Sequence, residues 1–200
     1  MDFSGTVGAA VMREYYNPPD RCRVCGLFKP RWFRKARSVA IYDGVLKDML
    51  IEFKFAGNLT LLAGLCNVMI ENMSKDLSHS PDVVVPVPLH KKKLLDREFN
   101  QSVVLAGAVA CHLRAPMDPF SLKRLRFTRP QFELPSALEK YKNVEGAFGV
   151  VNSNAFKGKA VLLVDDIITT GSTAAECAKA LRAAGAGSVE VLTLMRALGG

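Results

Sequence analysis

Residues 161–173 read VLLVDDIITTGST: four apolar residues, two adjacent acids, two more apolar residues, then four hydroxyl side chains crowded around one glycine. The run Ala160 to Val164 is too short for a helix and too apolar for a half-exposed strand, so it is predicted to be a strand buried on both faces. Thr173 to Ala184 has the composition of a helix closed by Gly185, and Ser188 to Leu194 reads as the next strand. This βαβ unit commits the chain to a mostly parallel sheet with helices packed on it. In open sheets of this kind, ligands sit outside the carboxyl ends of the strands, where Asp165 and Asp166 stand. A loop feeding a helix N-terminus also offers free backbone N–H groups and the positive end of the helix dipole to an anion. Gly171 lets that backbone approach closely, and Thr169, Thr170, Ser172 and Thr173 add hydroxyl donors, so a phosphate monoester suits the loop. The two carboxylates repel phosphate and fit a different partner, the vicinal hydroxyls of a ribose, with Mg²⁺ bridging ribose and pyrophosphate oxygens nearby. The plainer alternative is that the acids complement the helix dipole while Ser172 or Thr173 caps the helix. That alternative explains the helix start but not two adjacent acids ending an apolar strand. A P-loop is excluded, because Gly158-Lys159 is followed by Ala160 rather than Ser or Thr.

Upstream, the same alternation recurs. Val39 to Tyr42 is predicted as a short strand, and Val45, Leu46, Met49, Leu50 and Phe53 recur at helical spacing. A second helix is expected near Leu59 to Met73. Asp82 to Val87 reads as a buried strand, Asn100 to Leu113 as a helix with Asn100 as N-cap, and Phe120 to Leu122 as a third strand. Lys123 to Gly146 is a long polar stretch with two prolines, expected to be a mobile functional loop or a linker. Residues 1–38 show no hydrophobic period and contain Pro18-Pro19, which divides the chain into an appendage, 1–38, and a domain, 39–200.

The 200 residues are 49% hydrophobic and 23% charged, the profile of a globular chain rather than a disordered one. Twenty-seven Lys and Arg against 19 Asp and Glu leave a net charge of +8, which favours polyanionic partners. Seven basic residues and no acid lie between Arg21 and Arg37, so salt-sensitive affinity for DNA or an acidic partner is expected of the appendage. The longest apolar run, Val103 to Cys111, is far short of the roughly 18–20 residues that span a bilayer, and the first twenty residues lack the pattern of a signal peptide. A cytoplasmic location follows as an expectation. Cys66, Cys111 and Cys177 stand alone in apolar surroundings and are expected to be buried thiols. Cys22-x-x-Cys25-Gly26 has the spacing of half a tetrahedral zinc site. No second pair or suitably spaced histidine completes it, so bound Zn²⁺, an unligated pair and a redox-sensitive pair all stay open.

The segment 161–173 closely resembles the phosphoribosyl pyrophosphate signature of type I phosphoribosyltransferases. The likeness extends along the chain and is similar to the ComF/GntX family, associated with competence for DNA uptake in bacteria. Tyr42-x-Gly44 with Phe53-Lys54-Phe55-x-Gly57 resembles the family's early segment. Pro86-Val87-Pro88-Leu89-His90 with Arg97-x-Phe99-Asn100-Gln101 resembles its middle, and Thr128-x-x-Gln131 with Asn143-Val144-x-Gly146-x-Phe148 its later region. The resemblance implies a type I phosphoribosyltransferase-like domain that binds 5-phosphoribosyl 1-pyrophosphate with Mg²⁺. Asp165 and Asp166 would meet the ribose 2′ and 3′ hydroxyls, and Thr169, Thr170, Gly171, Ser172 and Thr173 would wrap the 5′-phosphate. The loop with His90, Lys91 and Arg97 would receive pyrophosphate, with Lys92 and Lys93 beside it. Lys123, Arg124, Arg126, Arg129 and Gln131 fall where such transferases close a loop over the reacting sugar. Thr169 stands where 6-oxopurine enzymes usually carry an acid, which argues against hypoxanthine or guanine as acceptor. Two functions stay open: a pentosyl transferase, or an adaptor of the DNA-uptake machinery that keeps the ribose-phosphate fold.

Overall fold

The computed structural model describes residues 11–16, 32–56, 60–73, 80–97 and 99–197. Among the described residues there are seven strands: β1 (Val11–Tyr16), β2 (Ala36–Ile41), β3 (Val83–Pro86), β4 (Leu122–Arg124), β5 (Phe148–Val150), β6 (Ala160–Ile168) and β7 (Ser188–Arg196). The helices are α1 (Gly44–Ala56), α2 (Thr60–Asn72), α3 (Lys91–Arg97), α4 (Gln101–Leu113), α5 (Ala137–Val144) and α6 (Ser172–Ala183). The main sheet has the order β1-β2-β7-β6-β3, parallel throughout except for β1, which runs antiparallel to β2 at one edge.

Strand alternation divides the core into two layers. On β6, Val161 and Leu163 face one cluster while Leu162 and Val164 face the other. The first cluster is covered by α6 through Ala174, Cys177, Ala178 and Leu181. The second is covered by α1 (Leu46, Leu50, Phe53), α2 (Leu65, Met69) and α4 (Leu105, Val109). This is the predicted sheet flanked by helices. Asn100 caps α4 as expected, accepting from the Ser102 N–H at 3.1 Å, and its own Nδ2 donates to the Val87 carbonyl at 3.0 Å.

Several expectations change. The boundary drawn at residues 38 and 39 falls inside β2, and Phe33 and Ala36 belong to the core. Charge obscured that strand: Arg37 is buried within it and its Nη1 donates to Glu190 Oε2 on β7 at 2.6 Å. One of the seven basic residues assigned to a surface therefore belongs to the sheet. Phe120 to Leu122 does not join the main sheet; the strand begins at Leu122 and pairs antiparallel with β5 in a separate two-stranded sheet. The stretch 123–146 carries regular structure, including α5, whose Ser136 and Glu139 form a reciprocal cap at the helix start. Of the three lone cysteines, Cys177 is buried, Cys66 is partly exposed, and Cys111 is exposed on α4. No helix among the described residues is long and apolar enough to cross a membrane.

Entry into β4 is fixed by Asp118. Its Oδ1 accepts the N–H groups of Phe120 and Ser121 at 2.9 and 2.8 Å, and its Oδ2 accepts the Ser121 hydroxyl at 2.6 Å. Partial burial by itself raises this carboxyl's pKa, but the bonds from Ser121 and Phe120 outweigh it and the net shift is downward. A carboxyl whose folded pKa lies below its unfolded value adds stability above the unfolded pKa and loses it as pH falls through the folded one. Asp118→Asn should therefore be less stable than wild type at pH 7. In melting curves taken from pH 7 down to pH 2, that difference shrinks; a constant difference would show that Asp118 acts only through shape.

Candidate functional site

β6 outruns its neighbour β3. Pro86 is level with Val164, whereas residues 165–168 continue beside β7, with Asp165 opposite Thr193 and Ile168 opposite Arg196. The acids predicted to follow the strand are thus held within it. Beyond the end of β3 opens a cleft of about 440 Å³, walled on one side by residues 165–174 and on others by Gln101 and Ser102 of α4, Arg124 of β4 and residues 129–131.

At the floor, the Ser102 hydroxyl donates to Asp165 Oδ1 at 2.9 Å, and the Asp166 N–H donates to the same oxygen at 2.9 Å. These bonds orient the Asp165 carboxylate from α4 and from the strand itself. At the start of α6, Gly171 adopts φ 74°, the left-handed conformation that glycine takes without strain. Gly171 is the N-cap, in place of the Ser172 or Thr173 of the plainer alternative; it has no side chain to cap the helix, and Thr170 Oγ1 accepts the Ser172 N–H at 3.4 Å. The first turn also carries no acid, so the positive helix end faces the cleft without an internal counter-charge. The Thr170 and Ser172 hydroxyls meet at 2.9 Å beside it.

The opposite wall is built from the polar stretch that was expected to be a mobile loop. Arg124 lies over the Phe148 ring at 5.2 Å and donates to the hydroxyl of buried Thr128. Burial lowers the pKa of its guanidinium, against the attraction of Asp165 across the site. Gln131 Nε2 donates to the Lys140 carbonyl at 3.3 Å, which sets the orientation of its amide. Asn143 brackets Arg129, accepting from its N–H at 3.2 Å and donating to its carbonyl at 3.0 Å. Arg126 ties this wall to the α5 terminus through the carbonyls of Asn143 and Glu145.

The structure brings Asp165, Asp166, Thr169, Thr170, Gly171, Ser172 and Thr173 together in one cleft. The basic turn divides differently. His90 packs edge-on against Phe127 with ring centres 5.3 Å apart, Lys91 is exposed at the first position of α3, and Arg97 is that helix's last residue. Lys93, rather than Lys91, lines the cleft. Cys22 and Cys25 lie outside the described residues, and among the described residues no group of three or more His, Cys, Asp or Glu is placed to hold a metal. Tyr42 and Gln101 appear in the sequence only as motif members without a site role, and Ser102, Lys140 and Thr193 are lining residues that a reading of the sequence does not single out. Gln101 was visible inside the motif ending Phe99-Asn100-Gln101, but its burial to 1% follows from the docking of α4 and has no local signature.

A mostly parallel sheet in which an interior strand carries two acids into a glycine–hydroxyl loop and a helix N-terminus defines a type I phosphoribosyltransferase-like protein. In agreement, residues 59–200 match the phosphoribosyl transferase domain family. The chain is 32% identical over 186 residues to DNA utilization protein YhgH of Salmonella typhi, covering 91% of this chain and 80% of that protein. It is 31% identical over 191 residues to Competence protein F of Haemophilus influenzae, covering 92% and 81%, and 30% identical over 181 residues to Competence protein ComFC of Bacillus subtilis, covering 88% and 72%. The chain belongs to the ComF family of phosphoribosyltransferase-like proteins.

Proposed function

We propose that the cleft binds 5-phosphoribosyl 1-pyrophosphate, or a related ribose 5-phosphate, together with Mg²⁺. The observation that carries this reading is the pairing in one cleft of a glycine-led, acid-free helix N-terminus with two adjacent strand-borne carboxylates. The α6 terminus and the hydroxyls of residues 169–173 take the 5′-phosphate, and Asp165 and Asp166 accept the ribose hydroxyls. The donor set suits Mg²⁺, which is usually held by one or two carboxylates plus substrate phosphates rather than by a protein cage. Asp165 and Asp166 are the residues that would hold it, and when bound the ion neutralises charge on the departing pyrophosphate. In the transfer reaction a nitrogen nucleophile bonds to the anomeric carbon while the bond to pyrophosphate breaks, the leaving group taking the electron pair. The protein's part is to position the sugar, exclude water and offer fixed dipoles.

Calorimetric titration of the full chain with phosphoribosyl pyrophosphate and Mg²⁺ tests the reading. Saturable heat is expected; its absence with both this ligand and ribose 5-phosphate would sink it. The second reading, ligand binding without transfer in a protein that handles DNA, is favoured by the relatives' names, which refer to competence and DNA utilization. Pyrophosphate release across a panel of nucleobases and amines separates the two.

For DNA contact we propose Arg21, Arg23, Lys29 and Arg31, the basic residues that remain once those of the sheet and its approach, 34–37, are set aside. Deleting residues 1–38 would remove β1 and half of β2, so charge reversal at these four positions is the cleaner test. Affinity for DNA should fall and its salt dependence flatten, with ribose-phosphate binding intact; unchanged DNA affinity would place the contact elsewhere.

A further inference from the structure

The cleft wall formed by residues 129–131 and Lys140 is not built for a phosphate alone. Gln131 opens a single 3₁₀ turn, Gln131–Glu133, and its Nε2 donates to the Lys140 carbonyl at 3.3 Å. A carbonyl only accepts, so this bond fixes which end of the amide is which and leaves Oε1 to find another partner. That oxygen is buried and has no hydrogen-bond partner among the described residues. Buried side-chain oxygens are ordinarily paired, and what this one lacks is an N–H or O–H. Ionised phosphate oxygens are acceptors and cannot supply it, whereas an amine or a ring N–H can.

Two cations accompany that oxygen. Arg129 and Lys140 both line the cleft, and neither side chain makes a hydrogen bond or ion pair among the described residues. Asn143 holds the Arg129 backbone through its N–H and its carbonyl, which places the residue while leaving its guanidinium free to bind. The carboxylates that line the cleft, Asp165 and Asp166, lie on the wall formed by β6. An unpaired acceptor between two uncompensated cations suits one molecule that carries both an N–H and a negative charge. Pro88, Leu89 and Pro130 add apolar surface to the same cleft, which fits the flat body of a ring.

We propose that Gln131, Arg129 and Lys140 form the subsite of a second substrate, a small ring compound that bears both an N–H group and a carboxylate. Gln131 Oε1 accepts the N–H, and Arg129 and Lys140 take the carboxylate. A neutral purine or pyrimidine satisfies the first contact and leaves both cations unpaired. This substrate class rests on the ribose-phosphate reading and deepens it, because it names what the same cleft holds beside the sugar.

The test is calorimetric titration of the full chain with Mg²⁺, with and without saturating ribose 5-phosphate, a sugar that permits no transfer. Anthranilate carries both groups, aniline lacks the carboxylate and benzoate lacks the N–H; orotate and uracil form a second pair, and adenine is the neutral purine. Wild type should bind anthranilate or orotate at least about tenfold more tightly than its neutral counterpart. Arg129→Gln and Lys140→Gln should each weaken that acid about tenfold, the loss expected for a hydrogen bond to a charged group, without changing the neutral compound. Gln131→Met should weaken the N–H-bearing acid about fivefold and leave benzoate unchanged. Failure of both acids to bind under either condition overturns the proposal, and so does tighter binding of adenine. So do Arg129→Gln and Lys140→Gln variants that keep affinity for the acid but lose it for phosphoribosyl pyrophosphate, which would give both cations to the sugar's diphosphate. An equal loss for ribose 5-phosphate in all three variants, with a lowered melting temperature, would make these residues supports of the wall and overturns it as well. A wild type that binds the acid but neither sugar phosphate keeps the subsite and defeats the ribose-phosphate reading.

Discussion

Replacing Asp165 and Asp166 together by asparagine should weaken phosphoribosyl pyrophosphate binding by about two orders of magnitude or more, while leaving the melting temperature within a few degrees of wild type. Each hydrogen bond to a charged group contributes roughly 1.5–3 kcal/mol, and two carboxylates are neutralised at once. The fold is spared because an asparagine carbonyl oxygen can still accept the Ser102 hydroxyl and the Asp166-position N–H that now meet Asp165 Oδ1. Backbone pairing from Asp165 to Ile168 with β7 is independent of these side chains. Calorimetry reads the first effect and a thermal melt the second. Full affinity in the double variant would remove the ribose diol from this part of the cleft.

Glu190→Ala is expected to produce the larger change in stability, a loss of about 3–5 kcal/mol, the usual consequence of removing one partner of a buried ion pair. Arg37 is 5% exposed and Glu190 12%, so neither group can turn to bulk water without disturbing β2 and β7. At roughly 2–4 °C per kcal/mol for a chain of this size, the melt should fall by about 10 °C. Arg37→Met with Glu190→Leu should recover most of the loss, since two apolar side chains leave no orphaned charge. If Glu190→Ala melts within about 2 °C of wild type, the guanidinium finds water once its partner is gone.

The parts of the fold that sequence made legible are those written in contiguous residues. β6, the 169–173 loop and α6 follow one another directly, so strand composition, glycine and hydroxyl content describe this end of the cleft before any tertiary contact is known. Asn100 as the cap of α4 was legible for the same reason. β4 was misplaced because its partner β5 lies more than twenty residues on, and three-residue strands carry no period of their own. β2 was truncated because Arg37 reads as surface charge until β7 brings Glu190 beside it. The start of α5 was available in Ser136-Ala137-Leu138-Glu139, the pattern of a capping box, but two flanking prolines suggested a loop. Gln101 and Arg124 depend on how α4 and the small sheet dock, and nothing local records that.

β6 serves two ends at once: Val161 to Val164 belong to both core layers, and the next two residues along the same strand are the acids of the cleft. Occupancy and global unfolding are consequently linked equilibria, because a ligand grasping those carboxylates binds only the folded sheet. At a concentration one hundred times its dissociation constant, such a ligand stabilises the whole domain by about 2.7 kcal/mol. A thermal-shift screen of phosphorylated sugars can therefore report on the cleft without an assay of any reaction.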